Sequence, residues 1–349
     1  MNDQKLYLIE FLRFFASLMV VIWHYQHFFL PYNSNSKDSF DVLNSKMFNI
    51  FDFSFGILGV NIFFCISGFV FSYTYLNNNY ISFKNFFYLR FARLYPLHFV
   101  TLLLVTIIQL ININLFGGYE IYFMNDIKHF ILNLFLFLGW GLEDGYSFNG
   151  PIWSVSVELF LYLVFFISIP YLKKYHILFS LPLLLFFIFI EKIDLQINDK
   201  FFLGLVLFFS GTLIFHIFKS ALNKYYFLFL SILLIIVSLI GNFKITMFCP
   251  GIVMFFIFLD YKIKLKDKTE KIFEIFGNMT YASYLTHIPI QLAIILTINL
   301  LNLNFGFTLN FENTLVLFMF IILVYFISYF TFKLFEKPLN NFIKSKLVD

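Results

Sequence analysis

Charged residues are scarce in this 349-residue chain, at 13%, whereas soluble domains carry about 25%. Hydrophobic residues make up 60%, and a water-soluble fold of this size has too little interior to bury them. The composition therefore excludes an ordinary soluble protein and indicates that lipid surrounds most of the chain. The net charge of +4 comes from lysines in a few loops, so a nucleic-acid-binding face is excluded as well.

Cysteine is nearly absent too, since the chain has only Cys65 and Cys249, both in apolar stretches. Two such thiols supply neither a disulfide framework nor a metal cluster, so we expect no metal site. We also expect no cleavable signal peptide, because the first apolar run, 6–30, is too long for one. No Pro, Gly or Ser-rich linker appears, which predicts one membrane domain over 5–340 and a short cytoplasmic tail over 341–349.

The chain contains long hydrophobic runs with few charged residues. A transmembrane helix needs about 20 mostly apolar residues, and this criterion predicts an all-α, polytopic integral membrane protein with about ten spans. A further apolar run, 127–140, has about the length of a re-entrant or interfacial segment and is not counted as a crossing. The predicted spans are 6–30, 53–76, 94–114, 153–170, 177–191, 201–218, 225–241, 245–259, 280–301 and 313–335.

The distribution of basic residues predicts the orientation. If 127–140 does not cross, both termini share one side with four loops, and that side carries 17 Lys and Arg residues against six on the other. Cytoplasmic loops carry the excess of Lys and Arg, so both termini are predicted to be cytoplasmic. The four loops are 77–93, 171–176, 219–224 and 260–271.

Two ionisable residues of the first span, Arg13 and His24, lie eleven positions apart. At 3.6 residues per turn their side chains share one helix face, about 16 Å apart along the axis. A charge inside a span indicates function by default, and histidine is suited to take a proton near neutral pH. We predict a polar track across the bilayer. The alternative is that Arg13 snorkels to the inner headgroups and His24 sits at the outer interface.

Arginines and a glutamate form the next group of candidates. Arg90 and Arg93 are three apart in YLRFARLYP and are suited to phosphate recognition, although an inner positive collar is the alternative. Glu158 follows Trp153 in the fourth predicted span. It is a candidate to orient a histidine or a sugar hydroxyl, and a surface glutamate favoured by the helix dipole is the alternative.

Small and polar residues in two other spans have structural explanations of comparable weight. Ser67 and Gly68 in GVNIFFCISGF are typical of two helices that pack closely. His287 in SYLTHIP is either a functional residue or a hydrogen-bonded histidine in the core. The sequence alone leaves both alternatives open.

In this order along the chain, the pieces resemble the acyltransferase family 3 membrane proteins over about residues 5–340. The Arg-x10-His pair and WSVSVE are the most specific of them. The chain departs from the family at Asn61, where many members carry an acidic residue, and in the wider spacing of its arginines at 88–93. The matching pieces are Arg13 with His24, GVNIFFCISGF at 59–69, YLRFARLYP at 88–96, WSVSVE at 153–158, SYLTHIP at 283–289 and FEKP at 335–338.

The resemblance implies transfer of an acyl group, most commonly acetyl, from a cytoplasmic acyl-CoA to a hydroxyl of an extracytoplasmic or lipid-linked carbohydrate. Acetyl-CoA is then a substrate rather than a resident cofactor. The implied setting is the bacterial plasma membrane, with no nucleic-acid partner and with a homo-oligomer left open. The implied roles are His24 and Glu158 in catalysis, Arg13, Arg90 and Arg93 in donor binding, and Trp153, Ser67 and His287 in acceptor binding or support.

Two functions without acyl transfer compete with this interpretation. A glycan flippase or transporter also uses intramembrane charges, but such proteins often show inverted repeats and interrupted helices, and neither is clear in the sequence. A glycan polymerase is expected to carry a large outer loop that bears arginine. The predicted outer loops are short apart from 31–52 and 115–152.

Overall fold

The computed structural model describes residues 5–29, 55–77, 82–191, 199–221, 223–241 and 244–346. Within these ranges the chain is all-helical and contains no strand, which confirms the predicted fold class. The predicted outer loop 31–52, with Lys37 and Lys46, lies outside the described residues, and so does Lys192.

Twelve α-helices occur in the described part of the chain. A 3-10 turn, Tyr25–Phe28, extends the first helix, and a π-helical turn, Phe332–Glu336, joins the last two. The helices are α1 (Tyr7–His24), α2 (Phe55–Tyr75), α3 (Phe83–Phe116), α4 (Ile127–Leu134), α5 (Ile152–Tyr175), α6 (Ile177–Glu191), α7 (Asp199–Ser220), α8 (Lys224–Ile240), α9 (Ile245–Lys262), α10 (Asp267–Phe305), α11 (Thr314–Thr331) and α12 (Lys337–Ser345).

Eight helices of the described chain are long and apolar enough to cross a membrane. Two shorter apolar helices, α6 and α8, lie where the sequence predicts the remaining spans. Helix α4 has eight residues and is therefore about 12 Å long, whereas the hydrocarbon core is about 30 Å thick. The apolar run 127–140 therefore does not form a transmembrane helix, in agreement with its predicted exclusion from the crossings.

Two helices begin much earlier than the predicted spans. Helix α3 starts at Phe83 rather than at 94, so residues 88–93, which were predicted to lie in the loop 77–93, are helical. Helix α10 starts at Asp267 rather than at 280. Charged residues lower the local hydropathy without interrupting backbone hydrogen bonds, and a hydropathy criterion therefore places the start of each helix too late.

Helix α1 packs against α2, α9, α10 and α11. The carboxylate of Asp260, near the end of α9, accepts hydrogen bonds from the backbone N–H groups of Leu8 at 2.8 Å and Ile9 at 2.9 Å. The first N–H groups of a helix have no partner within it. Asp260 therefore caps α1 from a neighbouring helix and fixes the position of α1 against α9.

Close packing of α2 against α7 depends on two glycines. A Cβ atom on Gly68 would lie 1.8 Å from the carbonyl oxygen of Phe208, and one on Gly211 would lie 2.0 Å from that of Cys65. Small residues let two membrane helices approach until their backbones touch. The packing explanation offered for this stretch thus holds for Gly68, whereas Ser67 lines a cavity.

We expect Gly211→Ala to destabilise the folded protein by about 1–3 kcal/mol, because the added methyl group forces α2 and α7 apart. The measurement is the midpoint of thermal unfolding in detergent. Gly145→Ala is the control, since a Cβ there meets only Met124 Cγ, at 3.4 Å. A Gly211 variant as stable as this control would contradict the tight contact between α2 and α7.

Candidate active site

A cavity of about 120 Å³ lies between α1, α2, α3, α5 and α10. Its charged lining consists of Arg13, Arg90, Arg93 and Glu158, and most of the rest is aliphatic or aromatic. Four residues predicted from the sequence to be functional therefore meet in one place. Among the lining residues, three guanidinium groups stand against one carboxylate, and guanidinium groups are suited to an anion such as a phosphate.

Arg13 is held by a residue of its own helix. Its Nη1 donates to both carboxylate oxygens of Glu10, at 3.2 and 2.9 Å. Gly277 on α10 makes room for this pair, because a Cβ there would lie 1.9 Å from Glu10 Oε2. The Arg13 side chain is 21% exposed and lines the cavity inside the bundle.

Arg90 is positioned by aromatic side chains. Its Nη2 donates to the Tyr75 hydroxyl at 2.5 Å, and its Cζ lies 4.5 Å from the centre of the Phe71 ring. A guanidinium over an aromatic face gains a cation–π attraction. These contacts fix Arg90 at the wall of the cavity and occupy part of its hydrogen-bonding capacity.

Arg93 makes fewer hydrogen bonds to the described residues than Arg13 or Arg90. Its side chain is exposed and lines the cavity, and it donates no hydrogen bond to any described residue. Arg13 and Arg90 are near enough to repel its charge, and Glu336 is near enough to attract it. A guanidinium offers five N–H donors, so Arg93 has the most capacity left for an anionic ligand.

Glu158 lies in this cavity rather than beside His24. The Ser67 hydroxyl donates to Glu158 Oε1, and Tyr162, four residues further along α5, also contacts the carboxylate. No hydrogen bond of the described residues joins Glu158 to His24, so the expected orientation of the imidazole by Glu158 has no contact to support it. Glu158 is six residues into α5, about 9 Å along the axis, which brings it to the level of the arginines.

His24 is buried at the other end of α1, with 7% of its surface exposed. Its Nδ1 donates to the Val20 carbonyl at 2.8 Å, and its ring centre lies 4.8 Å from that of His287 and 5.5 Å from that of His27. Arg13 and His24 therefore both face the interior of the bundle, as their spacing predicts. His287, a candidate supporting residue, is the closest of the two other imidazoles.

Tyr284 lies between the cavity and the histidines. It lines the cavity, its hydroxyl lies 2.6 Å from Ser154 Oγ and donates to the Pro151 carbonyl at 3.1 Å, and its ring centre is 6.2 Å from that of His287. Tyr284 was not among the functional residues predicted from the sequence. Its signal was the i, i+3 spacing to His287 in SYLTHIP, which puts both side chains on one helix face.

Three further residues around His24 were also missed. Gln291 Nε2 donates to the His24 backbone carbonyl at 3.0 Å, and His27 Nε2 lies 3.3 Å from the Tyr122 hydroxyl. Tyr122 comes from the segment between α3 and α5, and no local sequence pattern predicts its contact with the turn that extends α1. In the part of the chain that the structure describes, no group of three or more side chains could hold a metal ion.

Trp153 stands at the start of α5, and its ring centre lies 6.4 Å from that of Phe64. Its carbonyl oxygen lies against Gly139, where a Cβ would come within 3.0 Å. Gly139 has a φ of +80°, a backbone conformation that favours glycine. Trp153 thus helps to hold the segment between α3 and α5, and its ring packs against the main core.

Buried polar side chains fix the segment between α3 and α5. His129 is fully buried, its Nδ1 donates to Asp126 Oδ1 at 2.8 Å, and its Nε2 accepts from the Asp144 backbone N–H at 3.1 Å. Hydrogen bonds from the backbone and side chain of His129 lower the pKa of the Asp126 carboxyl. Both ring nitrogens of His129 are satisfied, so this histidine has a structural role.

Glu120 fastens the same segment to two helices. Its backbone N–H and carbonyl pair with the side-chain amide of Gln109, at 3.0 and 2.7 Å, and its carboxylate accepts from Asn299 Nδ2 at 3.1 Å. The residue is 8% exposed, and burial raises the pKa of its carboxyl. The charged form of Glu120 therefore costs free energy in the folded protein.

The family profile and the curated relative that match this chain both describe acyltransferases. The profile of the family described as "Acyltransferase domain" matches residues 6–333, nearly the whole chain. An acyltransferase of Streptomyces mycarofaciens, MdmB, is 35% identical over 114 residues. That match covers 32% of this chain and 27% of the relative, so the two proteins are compared over about a quarter of the relative's length. No solved structure matches the chain significantly.

We expect Glu120→Gln to raise the thermal unfolding midpoint at neutral pH, because the amide keeps the contact with Asn299 without a buried charge. The folded pKa is raised, so wild-type stability falls as pH rises from below the unfolded pKa through the folded pKa. The advantage of the variant should therefore vanish at acidic pH. Glu312→Gln, at an exposed position, is the control. An advantage that is independent of pH would argue against this account of Glu120.

Proposed function

The chain belongs to the acyltransferase family whose profile spans residues 6–333, and from this membership we propose that it is a multi-pass enzyme of the bacterial plasma membrane. It transfers an acyl group, in the simplest case acetyl, from a cytoplasmic acyl-CoA to a hydroxyl of an extracytoplasmic or lipid-linked carbohydrate. The observation that carries the proposal is that α1 presents Arg13 to the arginine-lined cavity and His24 to a buried group of histidines.

The arginine-lined cavity supports the donor half of the reaction. The phosphates of coenzyme A are anions that guanidinium groups bind well, and the predicted excess of basic residues on the cytoplasmic side attracts them. Arg93 has the most free donors, while Arg13 and Arg90 are already oriented by Glu10 and Tyr75. The pantetheine arm then runs past Tyr284 toward His24.

The histidine end of α1 supports the acceptor half. Since Nδ1 of His24 donates to Val20, its Nε2 carries a lone pair and is the base. In the proposed step Nε2 takes the proton of the acceptor hydroxyl while the hydroxyl oxygen attacks the thioester carbonyl carbon. The carbon–sulfur bond breaks, and the departing thiolate takes the proton from His24. The products are an ester and free coenzyme A.

Mass spectrometry of surface glycan from cells with and without the gene tests the function against its competitors. Acyl transfer predicts that the glycan gains the mass of one acyl group per modified residue only when the gene is present. A polymerase changes the chain length instead, and a flippase changes the amount of glycan at the surface. Either of these outcomes without an acyl mass difference would overturn the proposal.

We expect His24→Ala and Arg13→Ala each to abolish acylation of the glycan, because one removes the base and the other removes a cation that binds the donor. The measurement is acyl content of the glycan in cells that carry each variant, with the amount of protein in the membrane as control. Wild-type acylation by either variant would show that the assigned role is wrong.

We expect Arg93→Gln to raise the KM for acetyl-CoA about 10- to 100-fold with little change in kcat, because a hydrogen bond to a charged group contributes about 1.5–3 kcal/mol. Lys174→Gln is the matched control, since it removes an exposed basic residue of the predicted cytoplasmic side that does not line the cavity. Equal KM values for the two variants would exclude Arg93 from donor binding.

A further inference from the structure

His24 and His287 are held in the same way on two different helices. His24 Nδ1 lies 2.8 Å from the Val20 carbonyl oxygen, and His287 Nδ1 lies 3.0 Å from that of Ser283. A carbonyl oxygen can only accept, so each Nδ1 carries the ring proton. Each Nε2 therefore presents a lone pair, and both rings are in the same neutral tautomer.

His287 Nε2 is one of several buried polar atoms in the described chain that have no hydrogen-bond partner, and the others include a ring nitrogen of His27, His98 and His216. His287 is fully buried, its Nε2 has no hydrogen-bond partner, and the ring of His24 lies 4.8 Å away between centres. Buried polar atoms are nearly always hydrogen-bonded, so an exception needs an explanation. Two lone pairs cannot bond to each other, and a single added proton would turn one nitrogen into a donor and join the rings.

We propose that His24 and His287 form a proton-sharing pair in the acyl transfer, an inference that rests on the proposed function. When His24 Nε2 removes the proton of the acceptor hydroxyl, it becomes an N–H donor, and His287 Nε2 accepts a hydrogen bond from it. The proton stays within the pair while the hydroxyl oxygen bonds to the thioester carbon. It passes from His24 to the thiolate when the carbon–sulfur bond breaks, so no charge is left on either ring.

The two imidazoles have different roles in this pair. His24 keeps 7% of its surface exposed, whereas His287 keeps none. His24 is therefore the residue that contacts the acceptor hydroxyl, and His287 is a positioning residue that acts through it. Accepting a hydrogen bond from the imidazolium stabilises it in a setting where an unpaired charge is costly.

Among the rings around His24, His287 is the nearest one that can accept a hydrogen bond. Trp23 meets His24 with its ring edge-on at 4.6 Å, and its indole nitrogen can only donate. His27 Nδ1 and Gln291 Oε1 are also acceptor atoms without a partner. The His27 ring is further from His24 than that of His287, at 5.5 Å, and Gln291 bonds the His24 backbone rather than its ring. No carboxylate bonds either ring within the described residues, in contrast to His129, which is bonded to Asp126.

The test compares His287→Leu with His287→Gln in native membranes supplied with isotope-labelled acetyl-CoA and the endogenous glycan acceptor. Leu cannot accept a hydrogen bond, whereas the Gln side-chain oxygen can. We expect His287→Leu to lower the turnover number about tenfold or more, as for the loss of assistance to a general base. The KM for acetyl-CoA should stay within about twofold in both variants, and Gln should restore most of the turnover.

His98→Leu and His98→Gln are the matched controls. His98 is also a buried histidine with one ring nitrogen on a backbone carbonyl, at 2.8 Å from Asn133 O, and with the other unpartnered, but its ring neighbour among the described residues is Tyr95, at 5.9 Å between centres, rather than another imidazole. Leu and Gln should be equivalent there. Thermal unfolding midpoints of all four variants separate loss of folding from loss of turnover.

Each result decides between the alternatives. If His287→Leu turns over nearly as fast as the wild type, the proposal that His24 and His287 share a proton is wrong, while the proposed function is unaffected. Equal loss in His287→Leu and His287→Gln, with unfolding midpoints lowered as in the His98 variants, would mean that His287 only packs and would also overturn the pair. Absence of label transfer by the wild-type protein would overturn the proposed function and this inference with it.

Discussion

A polar side chain inside the bilayer must find its hydrogen-bond partner within the protein, and this requirement governs the arrangement of the charged and polar groups described above. Arg13 is paired with Glu10, Glu158 with Ser67, and His24 with a backbone carbonyl. Once these partners are assigned, the groups left without one become informative. Those groups include Arg93 in the cavity and His287 Nε2 beside His24.

The helices that carry these groups are fixed by contacts remote from the site. Asp260 caps α1 from α9, and two glycines bring α2 and α7 together at backbone distance. Because α1 and α2 also pack on each other, these contacts hold Arg13 and Ser67 at the same cavity. A site built on rigid helices keeps its geometry better than one built on loops, which suits a reaction that needs donor and acceptor in line.

Periodicity along a single helix could be read from the sequence, and contacts between helices could not. The eleven-residue spacing of Arg13 and His24 predicted one face, and in the structure both side chains point into the bundle. Glu158 and Ser67 are 91 positions apart, and no sequence pattern within either span predicts the hydrogen bond between them. Tyr122 reaches His27 from a segment whose backbone has positive φ at Ile121, a geometry that depends on tertiary packing.

The separation between Arg13 and His24 has a mechanistic consequence. One group binds an anion and the other handles a proton, and about 16 Å of helix lies between them. The charges of a bound phosphate and of the arginines around it do not change during the transfer. They therefore cannot compensate a charge that forms at His24, and the groups around His24 have to do so. Neutral imidazoles meet this need better than a carboxylate would, because neither ring carries a charge before the reaction or after it. The low polarity of the bilayer thus favours a base whose partner is another neutral ring.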